Sequence, residues 1–116
     1  MIEHYHFRAR IQIFLRENGG PKGGYFSFPE SGLRAVPLGV DGVCGLNTVG
    51  IYYTPNSVIP EGGEFEANCA TSTVTWEKLW RAALRPGTAF HLWDGRNFAS
   101  GVVLEIYDGN VEPATT

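Results

Sequence analysis

Between Tyr5 and Leu15 the chain alternates: Tyr5, Phe7, Ala9, Ile11, Ile13 and Leu15 share one face, with His6, Arg8, Arg10 and Gln12 on the other. A period of two over this length marks a half-buried strand. The run Asn18-Gly19-Gly20-Pro21-Lys22-Gly23-Gly24 then ends it, because consecutive glycines and a proline cannot continue a ladder. Tyr25-Phe26-Ser27-Phe28 reads as a short strand closed by Pro29. From Leu33 to Leu46, Pro37, Gly39, Gly42 and Gly45 interrupt the apolar residues, so an irregular or edge segment is expected. Val49 to Thr54 is a clearer strand, rich in β-branched and aromatic residues. Pro60-Glu61-Gly62-Gly63 reads as a turn, after which Phe65, Ala67 and Cys69 alternate with Glu64, Glu66 and Asn68.

One segment has a different period. Trp76, Leu79, Trp80, Ala83 and Leu84 fall at i, i+3, i+4, i+7 and i+8, the apolar stripe of an amphipathic helix. Thr75 or Thr73 is expected to cap it, and Pro86-Gly87 to stop it, giving one short helix near 75–85. Thr88 to Trp93 and Arg96 to Tyr107 are two strands joined through Asp94-Gly95, a hairpin signal whose two-residue turn needs positive φ at both central positions. The expected core comes from Phe7, Ile11, Ile13, Phe65, Phe90, Leu92, Val102 and Leu104. Trp76 and Trp80 are expected to pack the helix onto the sheet, and Trp93, beside the turn, to be exposed. Residues 1–108 read as one β-rich domain and 109–116 as a flexible tail.

Composition adds to this picture. Fifteen glycines and seven prolines in 116 residues suit a turn-rich β domain rather than a helical bundle. With nine basic and twelve acidic residues the formal net charge is −3, which argues against a chain devoted to neutralising nucleic-acid phosphates. No apolar run is long enough to span a bilayer as a helix. Met1-Ile2-Glu3-His4-Tyr5-His6 lacks the basic start and apolar stretch of a secretory signal, so a cytoplasmic location is expected. In that setting Cys44 and Cys69 read as buried free thiols.

Residues able to carry catalysis do not assemble into a familiar constellation. The Gly19–Gly24 cluster is not a phosphate loop: Tyr25 stands where a lysine must follow the last glycine. A flexible hairpin loop is expected there, with no bound nucleotide. His4 and His6 share a strand face, yet His91 is the remaining histidine, so a surface pair is expected and no metal site. His91, between Phe90 and Leu92, reads as an outward strand residue. Glu61, Glu64 and Glu66 read as a solvated strand face. No Gly-x-Ser-x-Gly elbow occurs. No enzyme activity and no cofactor is expected.

The run Gly87-Thr88-Ala89-Phe90-His91-Leu92-Trp93-Asp94-Gly95-Arg96-Asn97-Phe98-Ala99-Ser100-Gly101-Val102-Val103 resembles the closing hairpin of the C-terminal domain of elongation factor Tu. Phe90, Leu92, Gly95, Arg96, Gly101 and Val103 match that pattern, while Ala99 replaces a glycine. Phe7 to Leu15 followed by Asn18-Gly19-Gly20 is similar to that domain's first strand and loop. Ser57-Val58-Ile59-Pro60-Glu61-Gly62-Gly63 is similar to one of its turns. The resemblance covers about Phe7 to Ile106 and implies a small closed antiparallel β-barrel of about six strands, without catalytic role. The chain departs from the family at Pro21, at Lys22-Gly23-Gly24 and at Tyr25-Phe26-Ser27, where family residues facing tRNA or the neighbouring domains are replaced. It also has a longer stretch between Gly63 and Gly87.

Two functional expectations follow. The first is a non-enzymatic binding module for a protein partner: a translation-factor mimic, an adaptor, or an immunity-type protein against a toxin. Its surface is expected at Trp93, Asp94, Gly95 and Arg96, extended by Gly19 and Gly20, because loops on a rigid sheet carry binding groups and Trp and Arg dominate interface energies. The second is a tRNA- or RNA-binding domain using Arg8, Arg10 and Lys22, joined by Arg96.

Overall fold

The structure is a computed structural model that describes residues 5–43 and 45–111. Eight strands form: β1 (Tyr5–Ile13), β2 (Tyr25–Ser27), β3 (Leu33–Gly39), β4 (Asn47–Tyr52), β5 (Val58–Pro60), β6 (Glu64–Ala70), β7 (Ala89–Trp93) and β8 (Asn97–Val111). Six of them close an antiparallel barrel in the order β1-β6-β4-β3-β7-β8, and β2 pairs with β5 in a separate two-stranded sheet. The fold is a small all-β closed barrel with one short helix, α1, over 73–83.

The alternation in β1 works as expected: Phe7, Ala9, Ile11 and Ile13 are fully buried. It pairs on one side with β6 (Ile11 opposite Phe65) and on the other with β8 (Ile11 opposite Gly101). Phe65, Phe90 and Leu92 also face the core. Leu15 does not continue the face; the strand stops at Ile13 and a 3-10 turn, Arg16–Asn18, follows.

The ends of the barrel are closed differently. At the end where β1 begins and β6 ends, α1 packs Trp76 against Phe7, with ring centroids 6.2 Å apart. Ser72 caps the helix by accepting from the Thr75 N–H at 3.1 Å, in place of the expected Thr73 or Thr75. The stretch Trp76–Trp80 is π-helical, Arg81 N–H bonding back to the Trp76 carbonyl, and both indoles are buried. Leu84 turns extended before Pro86, a residue that disfavours helix just ahead of it. At the other end the β2–β5 sheet lays Phe26 on Phe98 (5.4 Å) and Phe28 on Phe65 (5.6 Å).

Four expectations are refined or corrected. Of the stretch expected to be irregular or edge, Leu33–Gly39 is a barrel strand: it pairs with β4 through Leu38, is only partly paired on its other side, as an edge would be, and tolerates Pro37 because a proline on an incompletely paired side forfeits no ladder bond. In β8 the phase is shifted by one: Val103 is buried while Val102 is 39% exposed and Leu104 only half-buried. Register sets this phase: Ala99, Gly101 and Val103 stand opposite the buried Ile13, Ile11 and Ala9 of β1, while bulges flank the run, leaving Phe98 without an opposite number in β7 and Leu104 without one in β1. His6 is buried rather than a surface residue; its Nδ1 accepts from the Thr71 N–H at 3.1 Å and its ring lies 4.8 Å from that of Trp76. The last strand outruns Asp108 to Val111, which pairs with Tyr5, so 109–111 are strand rather than tail. His4, Cys44 and 112–116 lie outside the described residues.

The phase of β8 is directly testable. Val103→Ala should cost about 2 kcal/mol through lost burial and a residual cavity, whereas Val102→Ala should stay within about 0.5 kcal/mol. Denaturant midpoints of the two variants check the assignment.

Candidate functional site

The hairpin tip is built by a three-residue loop, 94–96, between the paired Trp93 and Asn97. The expected two-residue turn does not form. Among the loop residues Gly95 alone has positive φ (+76°), and Asp94 N–H bonds the Arg96 carbonyl at 2.9 Å. Trp93 is 39% exposed, as expected from its place beside the loop.

Arg96 joins the tip to the first glycine loop: its guanidinium donates to the Gly20 carbonyl at 2.8 Å. Gly20 itself is buried, and a Cβ there would fall 2.0 Å from the Phe14 carbonyl oxygen. Gly19 sits at φ +101°, with space for a Cβ closed to 3.0 Å by the Asn97 carbonyl oxygen. Gly19 and Gly20 serve close backbone approach, a constraint the loop's glycine-rich sequence did not announce. Gly19 and Gly20 therefore position Arg96, and the exposed surface is contributed by Trp93, Asp94, Gly95 and Arg96.

A cleft of about 360 Å³ lies between these two loops, lined by Lys22, Tyr25, Arg34, Asp94 and Arg96 over Phe26 and Phe98. Arg34 is a member that periodicity did not reveal, because Pro37 and the neighbouring glycines hid the strand that carries it. Its guanidinium donates to the Ser27 carbonyl at 2.6 Å and lies 4.5 Å from the centre of the Phe26 ring. Lys22, Arg34 and Arg96 thus converge on one opening.

Arg8 and Arg10 belong to a different surface. Arg8 is paired with Glu66 and lies 3.6 Å from Glu105, and Arg10 lies 3.2 Å from Glu64. Two arginines facing three glutamates leave this stripe with no excess of positive charge. The glutamates expected to be merely solvated are the cross-strand partners of β1, with Glu61 3.2 Å from Arg16. Lys22 is placed with Arg96, not with Arg8 and Arg10.

A second cleft, about 390 Å³, is lined by Tyr5, Tyr52 and Tyr53 with Arg8, Glu66 and Asn68. Cys69 is fully buried, and burial pushes its thiol far above the ordinary range, which keeps it protonated and unreactive. His91 lies over Gly39, where a Cβ would meet its Nε2 at 2.6 Å. Among the described residues no three His, Cys, Asp or Glu side chains cluster in a way that holds a metal. No described helix is long and apolar enough to cross a membrane.

The fold and its cationic cleft define a class, a closed six-stranded antiparallel barrel with a loop-built opening at one end. No protein-family model matches the chain, and no curated protein matches it.

Proposed function

We propose that the chain is a non-enzymatic binding module that engages a protein partner through the hairpin tip, Trp93 to Arg96. The observation that carries this reading is the Arg96–Gly20 bond, which holds the tip against the 19–24 loop beside an exposed tryptophan. A half-exposed Trp next to an anchored Arg is the kind of pair that dominates interface energy, and anchoring lowers the entropy lost on binding. The resemblance to the C-terminal domain of elongation factor Tu supports the same face, since in that domain the matching turn meets its partners. A translation-factor mimic, an adaptor and an immunity-type protein all fit this reading. The tRNA- or RNA-binding reading is weakened by the glutamates that neutralise Arg8 and Arg10.

The test is affinity capture from a cell extract, with identification of the bound protein, followed by Trp93→Ala combined with Arg96→Ala. With unchanged circular dichroism, the double variant should bind the captured protein about thirtyfold more weakly, two anchors being worth roughly 2 kcal/mol together. Equal binding would move the surface to the exposed side of α1. Capture that disappears with nuclease treatment would favour RNA.

A further inference from the structure

We propose that the opening beside the hairpin tip takes an extended, acidic segment of the partner, laid along β3 with its carboxylates on Arg34, Arg96 and Lys22. This rests on the binding-module reading and specifies the chemistry that the same site recognises.

The first argument is an incompletely closed seam. The β1–β8 seam is registered from Tyr5–Val111 to Ile13–Ala99, and β1–β6 from Phe7–Cys69 to Gln12–Glu64. Between β3 and β7 the register contains Leu38–Leu92 and Gly39–His91 alone. From Leu33 to Pro37, β3 is paired with β4 on one side and, among the described residues, with no strand on the other. Two local features mark where the seam opens. Pro37 has no N–H to offer, and the β7–β8 register is irregular at Leu92–Trp93, where the β3–β7 pairing stops. A cleft of about 160 Å³ occupies the gap, with Arg34, Ala35, Val36 and Pro37 on one wall and Trp93, Asp94 and Phe98 on the other. It shares Phe26, Arg34, Asp94 and Phe98 with the larger cationic cleft, so the two form one continuous groove. A free strand edge flanked by side-chain pockets is the geometry of peptide addition to a sheet.

The second argument is charge. Arg8, Arg10 and Arg16 are each paired with glutamates. Arg34 and Arg96 are instead held by the backbone carbonyls of Ser27 and Gly20, and among the described residues no carboxylate pairs with either. A guanidinium has five N–H donors, so each retains donors for a ligand while its own position is set. Carboxylates match that fork in a two-point contact. Tyr25 and Trp93, 52% and 39% exposed, flank the groove and offer flat apolar contact to residues between the carboxylates. A nucleic acid would also meet cations and aromatic rings here. Asp94, however, lines both parts of the groove and opposes a phosphate at every step more than carboxylates spaced by neutral residues, while β3, whose Leu33 N–H already donates to Ser31 Oγ and whose Pro37 has no N–H, offers mainly backbone carbonyls to the N–H groups of an extended peptide.

The experiment measures fluorescence anisotropy with three labelled probes: a short peptide alternating Glu and Thr, the same peptide with Lys for Glu, and an oligouridylate. The Glu–Thr peptide should bind and the Lys–Thr peptide should not. Arg34→Gln with Arg96→Gln should weaken binding about tenfold or more, while Arg34→Lys with Arg96→Lys, which keeps the charge but loses the two-point fork, should weaken it less than the Gln pair, and this separates loss of charge from a moved loop. Methylating alternate backbone nitrogens of the Glu–Thr peptide should weaken it by a similar factor if it joins the edge of β3. The proposal is overturned if no peptide binds, if the oligouridylate binds as tightly as the Glu–Thr peptide, or if the Gln variants or backbone methylation change nothing. In those cases the captured partner's response to Trp93→Ala with Arg96→Ala still decides the hairpin-tip reading separately.

Discussion

Trp80→Ala is expected to destabilise the fold by about 3–5 kcal/mol, the largest single effect in this chain. Trp80 is fully buried where α1 closes the barrel, and truncation leaves a void that the rigid strand ends beneath it cannot fill. Its indole N–H meets no hydrogen-bond partner among the described residues. Trp80→Phe should therefore cost much less than Trp80→Ala, because it keeps most of the ring volume and removes an unsatisfied donor. Chemical denaturation of both variants checks the order. If Trp80→Ala cost less than about 1 kcal/mol, the helix would not be part of the core.

Gly101→Val is expected to have the second largest effect, about 3 kcal/mol or more. Gly101 is buried in β8 opposite Phe90 of β7, and a Cβ there would lie 2.2 Å from the Phe90 Cζ. Its φ is not positive, so the constraint is space and not backbone conformation. The ring of Phe90 fills the place of the missing side chain, and a larger residue must drive it out of the core. A smaller ring neighbour should relieve this: Gly101→Ala and Phe90→Leu are expected to be non-additive by about 0.5–3 kcal/mol, the double variant being less unstable than the sum. Additive costs in a thermal-unfolding cycle would contradict the contact.

The same glycine shows why part of the fold was legible and part was not. In β1 and β6 one face is apolar and the other polar, so alternation alone assigns the inward side chains. In β8, Val102, Val103 and Leu104 are all apolar, and both phases look equally good. The true phase depends on partners distant in sequence: Phe90 over Gly101, and Ile13, Ile11 and Ala9 of β1 opposite Ala99, Gly101 and Val103. His6 falls on the polar face by pattern, yet becomes buried because α1 covers it, a tertiary event that strand periodicity does not encode. The helix itself was visible from the spacing of Trp76, Trp80 and Leu84, although its π-helical turn was not.

The site divides in the same way. Asp94-Gly95 announced the tip, and Trp93 next to it is exposed as expected. The role of Gly20 as the anchor of Arg96 needed the fold, since the two are 76 positions apart. Arg34 entered only when Leu33–Gly39 proved to be a strand, and it links the tip to the open seam. Arg8 and Arg10, adjacent on one face by pattern, lost their appeal as a basic stripe once β6 and β8 brought glutamates beside them.

The central claim is that the groove between β3 and the hairpin tip is the surface that binds. Backbone amide resonances of the isotope-labelled chain, followed during titration with the captured protein, test it most directly. The predicted result is a set of perturbed amides concentrated in 20–26, 33–36 and 93–98. Perturbations confined to α1, or to the Arg8 and Arg10 face of β1, would contradict it.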